Sequence, residues 1–242
     1  MQIFAKTDIG KERKVNEDYY YASKPDEELQ LYILADGMGG YNAGEVASSM
    51  AVKAAKEYIE KNFKGNNSNN EQIKELLTKA MEYANKVVYE KSINVKEMQG
   101  MGTTLEITII YNNNIYIGHI GDSRVYRIRE KAIQKLTKDH SYVQTLIEDG
   151  TINEEEAFYH PKRNMLTKAL GCTEEAEPDI YVEDIKENDI ILISSDGLTN
   201  MVRENEVLEI ITKEGKNSAN ALVEKANENG GYDNITVIVI MC

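Results

Sequence analysis

The chain has 242 residues, of which 41% are hydrophobic and 29% charged, and its net charge at pH 7 is −13. So acidic a chain repels nucleic acids and anionic membranes, and neither is expected as a main partner. Two cysteines and three histidines favour neither a disulfide framework nor a structural zinc site. The first residues lack the apolar stretch of a signal peptide and no apolar run is long enough to span a membrane, so we expect a cytoplasmic protein.

Hydrophobic periodicity divides the chain into strands and paired helices. The mixture of hairpins and helix pairs predicts an α+β fold with mainly antiparallel sheets rather than alternating βαβ units. In chain order the pattern predicts strands at 2–8, 18–23 and 29–36, helices at 43–63 and 71–91, strands at 103–111 and within 115–129, a polar segment at 138–171 with one or two short helices, a strand at 189–196, helices at 204–215 and 217–229, and a strand at 235–241.

Three aspartates adjoin predicted strands. Asp36 and Asp196 each follow an apolar run and precede a glycine, whereas Asp233 lies just ahead of such a run. Each Asp-Gly alone is typical of a turn. If the last strand runs opposite to the other two, however, the three carboxylates meet at one end of the sheet, where without a cation they would raise one another's pKa. Oxygen ligands, including the carbonyl of Gly37, favour Mg²⁺ or Mn²⁺ over zinc.

Eight stretches of the chain resemble the metal-dependent PPM-type protein serine/threonine phosphatases, also called type 2C, in their short bacterial form. Each stretch alone is a weak signal, but together they follow the order of the family over almost the whole length. They are TDIGKERKVNED (7–18), ADGMGGYNAGEVAS (35–48), MGTT (101–104), GDSRVY (121–126), LTKDHS (136–141), HPKRNMLTKALG (160–171), DIILISSDGL (189–198) and GGYDNITVIVI (230–240).

The resemblance implies a particular architecture. It implies two packed, mainly antiparallel β-sheets flanked by helix pairs, a four-layer α-β-β-α sandwich with the metal site at one edge. Residues 1–242 would form a single phosphatase domain. The polar segment 138–171 would be a flap insertion near the active site, where we expect substrate choice to reside.

The resemblance also implies a metal centre with two Mn²⁺ or Mg²⁺ ions per chain. Asp36 would bridge the two ions. The Gly37 carbonyl would bind one of them, and Asp196 and Asp233 would hold the other.

Four further residues match positions around that centre. Arg13 matches the phosphate-binding arginine of the family, because a guanidinium can grip two phosphate oxygens; the alternative is a solvated loop arginine. Glu17 and Asp18 match acidic positions that orient metal-bound waters. Asp122 matches a position that in bacterial members helps Asp196 to hold a third metal; the alternative is a turn residue.

The histidines and two departures from the family pattern bear on the proton donor. Met38 and Tyr41 stand where different family members carry a histidine, so neither is expected to protonate the leaving group, and a metal-bound water is the expected donor. His119 lies in an apolar strand and is expected in the core or at an interface. His140 and His160 are expected to be structural or surface residues.

The resemblance implies hydrolysis of phosphoserine and phosphothreonine in proteins by a metal-activated water, reversing a bacterial serine/threonine kinase. We expect a monomer whose partners are phosphorylated proteins, including a cognate kinase and its targets. Two alternatives stay open. A partner-switching phosphatase acting on an anti-sigma-factor antagonist usually carries a sensor domain, for which 242 residues leave no room. A non-catalytic pseudophosphatase that binds phosphoproteins typically lacks metal ligands that are present here.

Overall fold

The computed structural model describes residues 1–38, 43–65 and 68–242, and within these ranges it contains eleven strands and seven α-helices. The strands are β1 (Gln2–Asp8), β2 (Asp18–Ala22), β3 (Gln30–Met38), β4 (Gly102–Thr103), β5 (Leu105–Tyr111), β6 (Asn114–Ile120), β7 (Arg124–Arg129), β8 (Ala132–Lys135), β9 (Asp179–Asp184), β10 (Ile190–Ser194) and β11 (Ile235–Met241). The helices are α1 (Gly44–Asn62), α2 (Asn70–Asn94), α3 (Tyr142–Glu148), α4 (Glu154–Phe158), α5 (Asp196–Thr199), α6 (Glu204–Glu214) and α7 (Ser218–Glu228).

The first sheet has the strand order β1-β11-β10-β7-β8, and all its neighbours are antiparallel. The two most continuously apolar strands, β10 and β11, lie at its centre, where both faces of a strand are covered. The short strand β8 forms an edge and is largely exposed. The last strand, β11, runs antiparallel to β10, so the end of β10 and the start of β11 lie at the same edge of the sheet, whereas β3 belongs to the other sheet.

The second sheet has the order β2-β3-β5-β6-β9, and β4 pairs with the end of β3. Its central hairpin joins β5 to β6 through Asn112 and Asn113, whose φ angles are +49° and +58°. Positive φ at both turn residues matches the twist of a two-residue hairpin, and asparagine tolerates this conformation. The predicted hairpin is therefore confirmed.

Alternation along the strands builds the four layers. In β3, Tyr32 and Leu34 pack into the core between the sheets, whereas Leu31 and Ile33 pack into the core beneath the first helix pair. Successive side chains of a strand point to opposite faces, so one apolar strand serves two cores. Helices α1 and α2 cover the second sheet and α6 and α7 cover the first, which confirms the predicted α-β-β-α sandwich.

Several elements differ from the sequence prediction. The strand predicted at 29–36 continues to Met38, so Asp36 lies inside β3. The strand predicted at 103–111 is divided at Thr104 into β4 and β5. Strands β8 and β9 were not predicted, because neither contains a buried residue and their apolar pattern is therefore weak. Helix α5 was not predicted because its four residues make barely one helical turn.

Ile238 tests the core between the sheets. Its side chain is fully buried there, so Ile238→Ala should lower the free energy of unfolding by about 2–5 kcal/mol through lost contacts and a residual cavity. Denaturant unfolding measures this, with Ile93→Ala as the control, because Ile93 is 60% exposed on α2. Equal stability of the two variants would contradict the assignment of Ile238 to the core.

Candidate metal centre

Carboxylates from both sheets meet at one edge of the sandwich. Asp18 and Asp36 are direct partners in the antiparallel pairing of β2 with β3. Asp196 begins α5 just after β10, and Asp233 lies two residues before β11. Asp122 lies in the turn that leads from β6 in one sheet to β7 in the other. The fold thus gathers acidic side chains from five separate segments.

The sequence pattern suggested that the three strand-end aspartates belong to one sheet, and this is wrong. Asp36 belongs to the second sheet, whereas Asp196 and Asp233 stand at the end of the first. They approach one another because the sheets are packed face to face. The site is therefore a seam between two sheets and not the end of a single sheet.

Ser195 joins the two sheets at this seam. Its hydroxyl donates to Asp18 Oδ2 at 2.8 Å and accepts from the backbone N–H of Thr236 at 2.9 Å. Its own N–H donates to the Thr236 carbonyl at 3.0 Å. A fully buried serine whose partners lie 41 and 177 residues away gives no local sequence signal, so its role was not predicted.

Asn234 fixes the loop that carries Arg13. Its Oδ1 accepts from the N–H of Glu17 at 2.8 Å, and its Nδ2 donates to the carbonyls of Ile9 and Val15 at 2.9 and 3.0 Å. The side chain is buried and makes three bonds to loop backbone that has no regular secondary structure. The role of Asn234 was not predicted either, although the Asp-Asn pair ahead of β11 is visible in the sequence.

The backbone around Asp36 is closely confined. The N–H of Asp36 donates to Thr104 Oγ1, and its carbonyl accepts from the Thr103 hydroxyl and the Thr104 N–H, all at 2.9 Å. At Gly37 a Cβ atom would lie 2.1 Å from the carbonyl oxygen of Gly44, the first residue of α1. Only glycine fits there, which explains the Asp-Gly sequence without a turn.

Several carboxyl groups at this seam have raised pKa values. Burial, and after it the charges of Asp18 and Asp196, raise the pKa of Asp36 well above its ordinary value. Burial raises the pKa of Asp18 to about 7 and, together with the charge of Asp233, that of Asp196 to about 6. Burial and the charge of Asp196 likewise raise the pKa of Asp122. A divalent cation would remove this repulsion.

The available atoms fit Mg²⁺ or Mn²⁺. One oxygen of Asp18 and one of Asp196, Oδ1 in each, are buried and have no hydrogen-bond partner. Such orphaned oxygens are rare in protein interiors. The donor set at the seam consists of oxygen atoms, which these hard cations prefer.

Asp233 is engaged elsewhere. Its Oδ2 accepts from Arg13 Nη2 at 2.7 Å, and its Oδ1 accepts from the N–H of Asn234 at 2.8 Å. In residues 1–38, 43–65 and 68–242, no three Asp, Glu, His or Cys side chains converge closely enough to enclose a metal ion. The fit to a metal therefore rests on the orphaned oxygens and the donor chemistry.

A cavity of about 480 Å³ adjoins the seam and reaches the flap segment 138–171. Its lining includes Asp122 and Asp196 together with Phe158 of α4. Asn200 donates to Asp196 Oδ2 at 2.9 Å and to Asn164 Oδ1 of the flap at 3.4 Å. The flap is thus linked to a predicted metal ligand.

Two further contacts hold the flap to the body. Arg203, just before α6, stacks on the rings of Phe158 and Tyr159, with its guanidinium carbon 4.5 and 5.3 Å from their centroids, and donates to the Tyr159 hydroxyl at 2.7 Å. The returning end of the flap forms a bridge between Leu170 and Thr103. Nothing in the sequence pattern predicted these contacts.

In the part of the chain that the structure describes, none of the three histidines is hydrogen-bonded to Asp18, Asp36, Asp122, Asp196 or Asp233. His119 is fully buried, which confirms its placement in the core, and His140 is buried as a structural residue. His160 is partly exposed in the flap. Met38 ends β3, and its thioether has no proton to give. Tyr41 lies outside the described residues.

Comparison with known proteins agrees with this fold. A family model described as protein phosphatase 2C matches residues 10–228. The chain belongs to the protein phosphatase 2C family, which confirms the resemblance seen in its motifs.

Three relatives illustrate the likeness. The serine/threonine phosphatase stp of Listeria monocytogenes serotype 4b is 38% identical over 237 residues, which cover 97% of this chain and 93% of that protein. The crystal structure of Stp1 from Staphylococcus aureus is 34% identical with a TM-score of 0.92, covering 100% of this chain and 94% of that one. The catalytic domain of PstP, solved with two manganese ions, is 34% identical with a TM-score of 0.85, covering 98% of this chain and 96% of that one.

Asn234 tests how the seam is held. Asn234→Ala leaves three backbone groups of the Arg13 loop without their partners, and each such group costs about 1–3 kcal/mol where it stays buried. We expect a clearly lower melting temperature and faster proteolysis within residues 9–17. Asn94→Ala, which removes one exposed bond to a helix carbonyl, is the control. A melting temperature matching that of the control would refute this role.

Proposed function

We propose that this protein hydrolyses phosphoserine and phosphothreonine in other proteins, with divalent metal ions held at the seam. The observation that carries the proposal is the set of like charges gathered there, including the buried orphan oxygens of Asp18 and Asp196. Membership of the protein phosphatase 2C family supplies the reaction class. The manganese ions in the related PstP structure support a divalent metal.

The chain would hold two ions, Mn²⁺ or Mg²⁺. When bound, two such ions lower the pKa of a bridging water and offset charge on the transferred phosphoryl group. Asp36 would bridge them, the Gly37 carbonyl would bind one ion, and Asp196 and Asp233 would bind the other. The three hydrogen bonds to the backbone of Asp36 support its central role, because they fix the residue before any ligand arrives.

Glu17 and Asp18 would orient the waters around the ions. Asp18 is suited to this because Ser195 fixes one of its oxygens and leaves the other free. Glu17 is held through its N–H by Asn234, and burial raises the pKa of its carboxyl. A carboxyl group held in place in this way can accept a hydrogen bond from a metal-bound water and so orient that water.

Arg13 would bind the phosphate of the substrate. Its side chain is 45% exposed at the seam, 2.7 Å from Asp233 and 3.8 Å from Glu17. A protein of net charge −13 needs local positive charge to attract a dianion, and a guanidinium can hold two phosphate oxygens. The ion pairs with Asp233 and Glu17 support a functional arginine over a freely solvated one.

Asp122 would hold a third ion together with Asp196. Their charges interact, and both residues line the cavity beneath the flap. A proton for the leaving serine oxygen would then come from that side of the site. The alternative, a simple turn residue, does not account for a partly buried carboxylate beside a second one.

The physiological counterpart would be a bacterial serine/threonine kinase, whose targets this protein resets in the cytoplasm. We further propose a monomer whose residues 1–242 form one domain with a flap at 138–171. Among the described helices, none combines the length and the apolar character needed to cross a bilayer. No observation favours partner switching. A pseudophosphatase is disfavoured because Asp36, Asp196 and Asp233 are all present.

Metal removal and Asp36→Asn test the metal centre. Chelated enzyme should lose hydrolysis of p-nitrophenyl phosphate and regain it with Mn²⁺ or Mg²⁺ but not with Zn²⁺, because every proposed ligand is an oxygen. Asp36→Asn should abolish turnover without unfolding the chain, whereas Asp26→Asn, at an exposed position, should not. Robust turnover in excess chelator, or a nearly native Asp36→Asn variant, would sink the proposal.

Arg13 is tested separately from the metal ligands. Arg13→Ala removes a charge-assisted pair worth roughly 1.5–3 kcal/mol, so KM for a phosphopeptide should rise about tenfold or more with a smaller change in kcat. Arg13→Lys keeps the charge and loses the bidentate geometry, so its KM should lie between those of the wild type and Arg13→Ala. Lys14→Ala, at the exposed neighbouring position, is the control. An unchanged KM would support the alternative that Arg13 is a solvated loop residue.

A further inference from the structure

A fully buried pair of ionisable residues lies behind the seam. Glu106 and His119 face each other on β5 and β6, and neither has any exposed surface. His119 Nδ1 bonds to Glu106 Oε1, and Nε2 lies 2.8 Å from the carbonyl of Lys138, where the flap begins. A carbonyl can only accept, so Nε2 carries a hydrogen, and Nδ1 and the carboxylate share one proton. The ring is therefore fixed in place.

A second imidazole lies against this ring. The centroid of His140 is 4.7 Å from that of His119. The backbone N–H of His140 donates to the carbonyl of Gly121 at 2.6 Å, and its Nδ1 accepts from the N–H of Gly121 at 3.2 Å. Its Nε2 lies 3.2 Å from Asp179 Oδ2 and donates to it. One residue thus bonds both backbone polar groups of Gly121.

Position 121 requires glycine. Its φ is +117°, a region that side chains with a Cβ rarely adopt, and a Cβ there would lie 2.5 Å from Cγ2 of Thr104. Thr104 in turn accepts from the N–H of Asp36. The turn that begins at Gly121 is therefore packed against a residue that also holds the proposed bridging ligand. Asp122 is the next residue along the chain.

We propose that His140 positions Asp122, acting through its two hydrogen bonds to Gly121. The buried ring of His119 supports His140 from behind. The inference rests on the proposed function, because the direction of Asp122 matters only if its carboxylate takes part in ion binding. His140 touches neither ion nor substrate, and it is a positioning residue.

The role requires the neutral imidazole with its hydrogen on Nε2. A proton on Nδ1 would turn the acceptor for the Gly121 N–H into a second donor. Burial and the charge of His119 lower the pKa of His140, which agrees with the neutral form. The bond from Nε2 to Asp179 selects the required tautomer. Ring ¹⁵N resonances of the wild-type protein should therefore show Nδ1 unprotonated and Nε2 protonated, and a protonated Nδ1 would overturn the inference without any variant.

Two substitutions of His140 separate the effect of its Nδ1 bond to Gly121 from the effect of its Nε2 bond to Asp179. The amide of asparagine lies near the position of Nδ1, whereas the amide of glutamine lies near Nε2. His140→Asn can still accept from Gly121, and His140→Gln can only reach towards Asp179. Asp179→Asn, whose Oδ1 still accepts from His140, is the matched control for the bond made by Nε2. Asp122→Ala is the reference for complete loss of the proposed ligand.

The measurements are bound Mn²⁺ per folded chain, by equilibrium dialysis, and kcat for a phosphopeptide and for p-nitrophenyl phosphate. We expect His140→Gln to resemble Asp122→Ala: one Mn²⁺ fewer, and a loss of about tenfold on the phosphopeptide, equivalent to one hydrogen bond. The loss on p-nitrophenyl phosphate should be smaller, because its leaving group needs no proton. His140→Asn and Asp179→Asn should keep the Mn²⁺ count. Melting temperatures verify that each variant is folded.

The outcomes separate this inference from the proposed function. If Asp122→Ala is impaired and His140→Gln keeps native metal binding and kinetics, the positioning role is wrong and the metal centre stands. Equal losses in the Asn and Gln variants would reduce His140 to a packing residue and overturn the inference. Native behaviour of Asp122→Ala would also overturn it. Activity of Asp36→Asn would instead refute the proposed metal centre itself.

Discussion

Like charge gathered at a seam between two sheets is the constraint on which the functional part of this structure depends. Asp18 is buried, and Asp36 and Asp196 are partly buried near it. Burial first, and then the charges of neighbouring aspartates, raise the pKa of all three carboxyl groups. Left uncompensated, such a cluster would work against the packing of the sheets. A divalent cation bound at the seam would remove this conflict. The stability of the fold and its affinity for metal would then be coupled.

The fold meets that constraint with a few long-range hydrogen bonds. Ser195 links Asp18 to the opposite sheet, and Thr104 holds Asp36 from a neighbouring strand. Asn234 fixes the loop of Arg13, while His140 fixes the turn before Asp122. In each case a neutral polar group fixes the backbone or one oxygen of the site. Among the described residues, Oδ1 of Asp18 and Oδ1 of Asp196 are left without a hydrogen-bond partner and could bind ions or waters.

Much of the fold could be predicted from periodicity, and the exceptions have a common cause. The continuous apolar runs of β10 and β11 and the long amphipathic helix α2 carry many periods and were predicted. The edge strands β8 and β9 contain no buried residue, so their apolar pattern is weak, and they were not predicted. The motifs also indicated the acidic residues of the site. They could not show that the aspartates belong to two sheets, because strand pairing is decided by partners far away in the chain.

Anomalous scattering from crystals grown with Mn²⁺ tests the central claim most directly. At the manganese edge we expect two strong peaks about 3.5–4 Å apart, the spacing typical of two-metal sites, both in contact with the carboxylate of Asp36. Asp196 and Asp233 should ligate one ion and the carbonyl of Gly37 the other. Manganese bound only elsewhere, or a single ion that does not touch Asp36, would contradict the account of the seam as a two-metal centre.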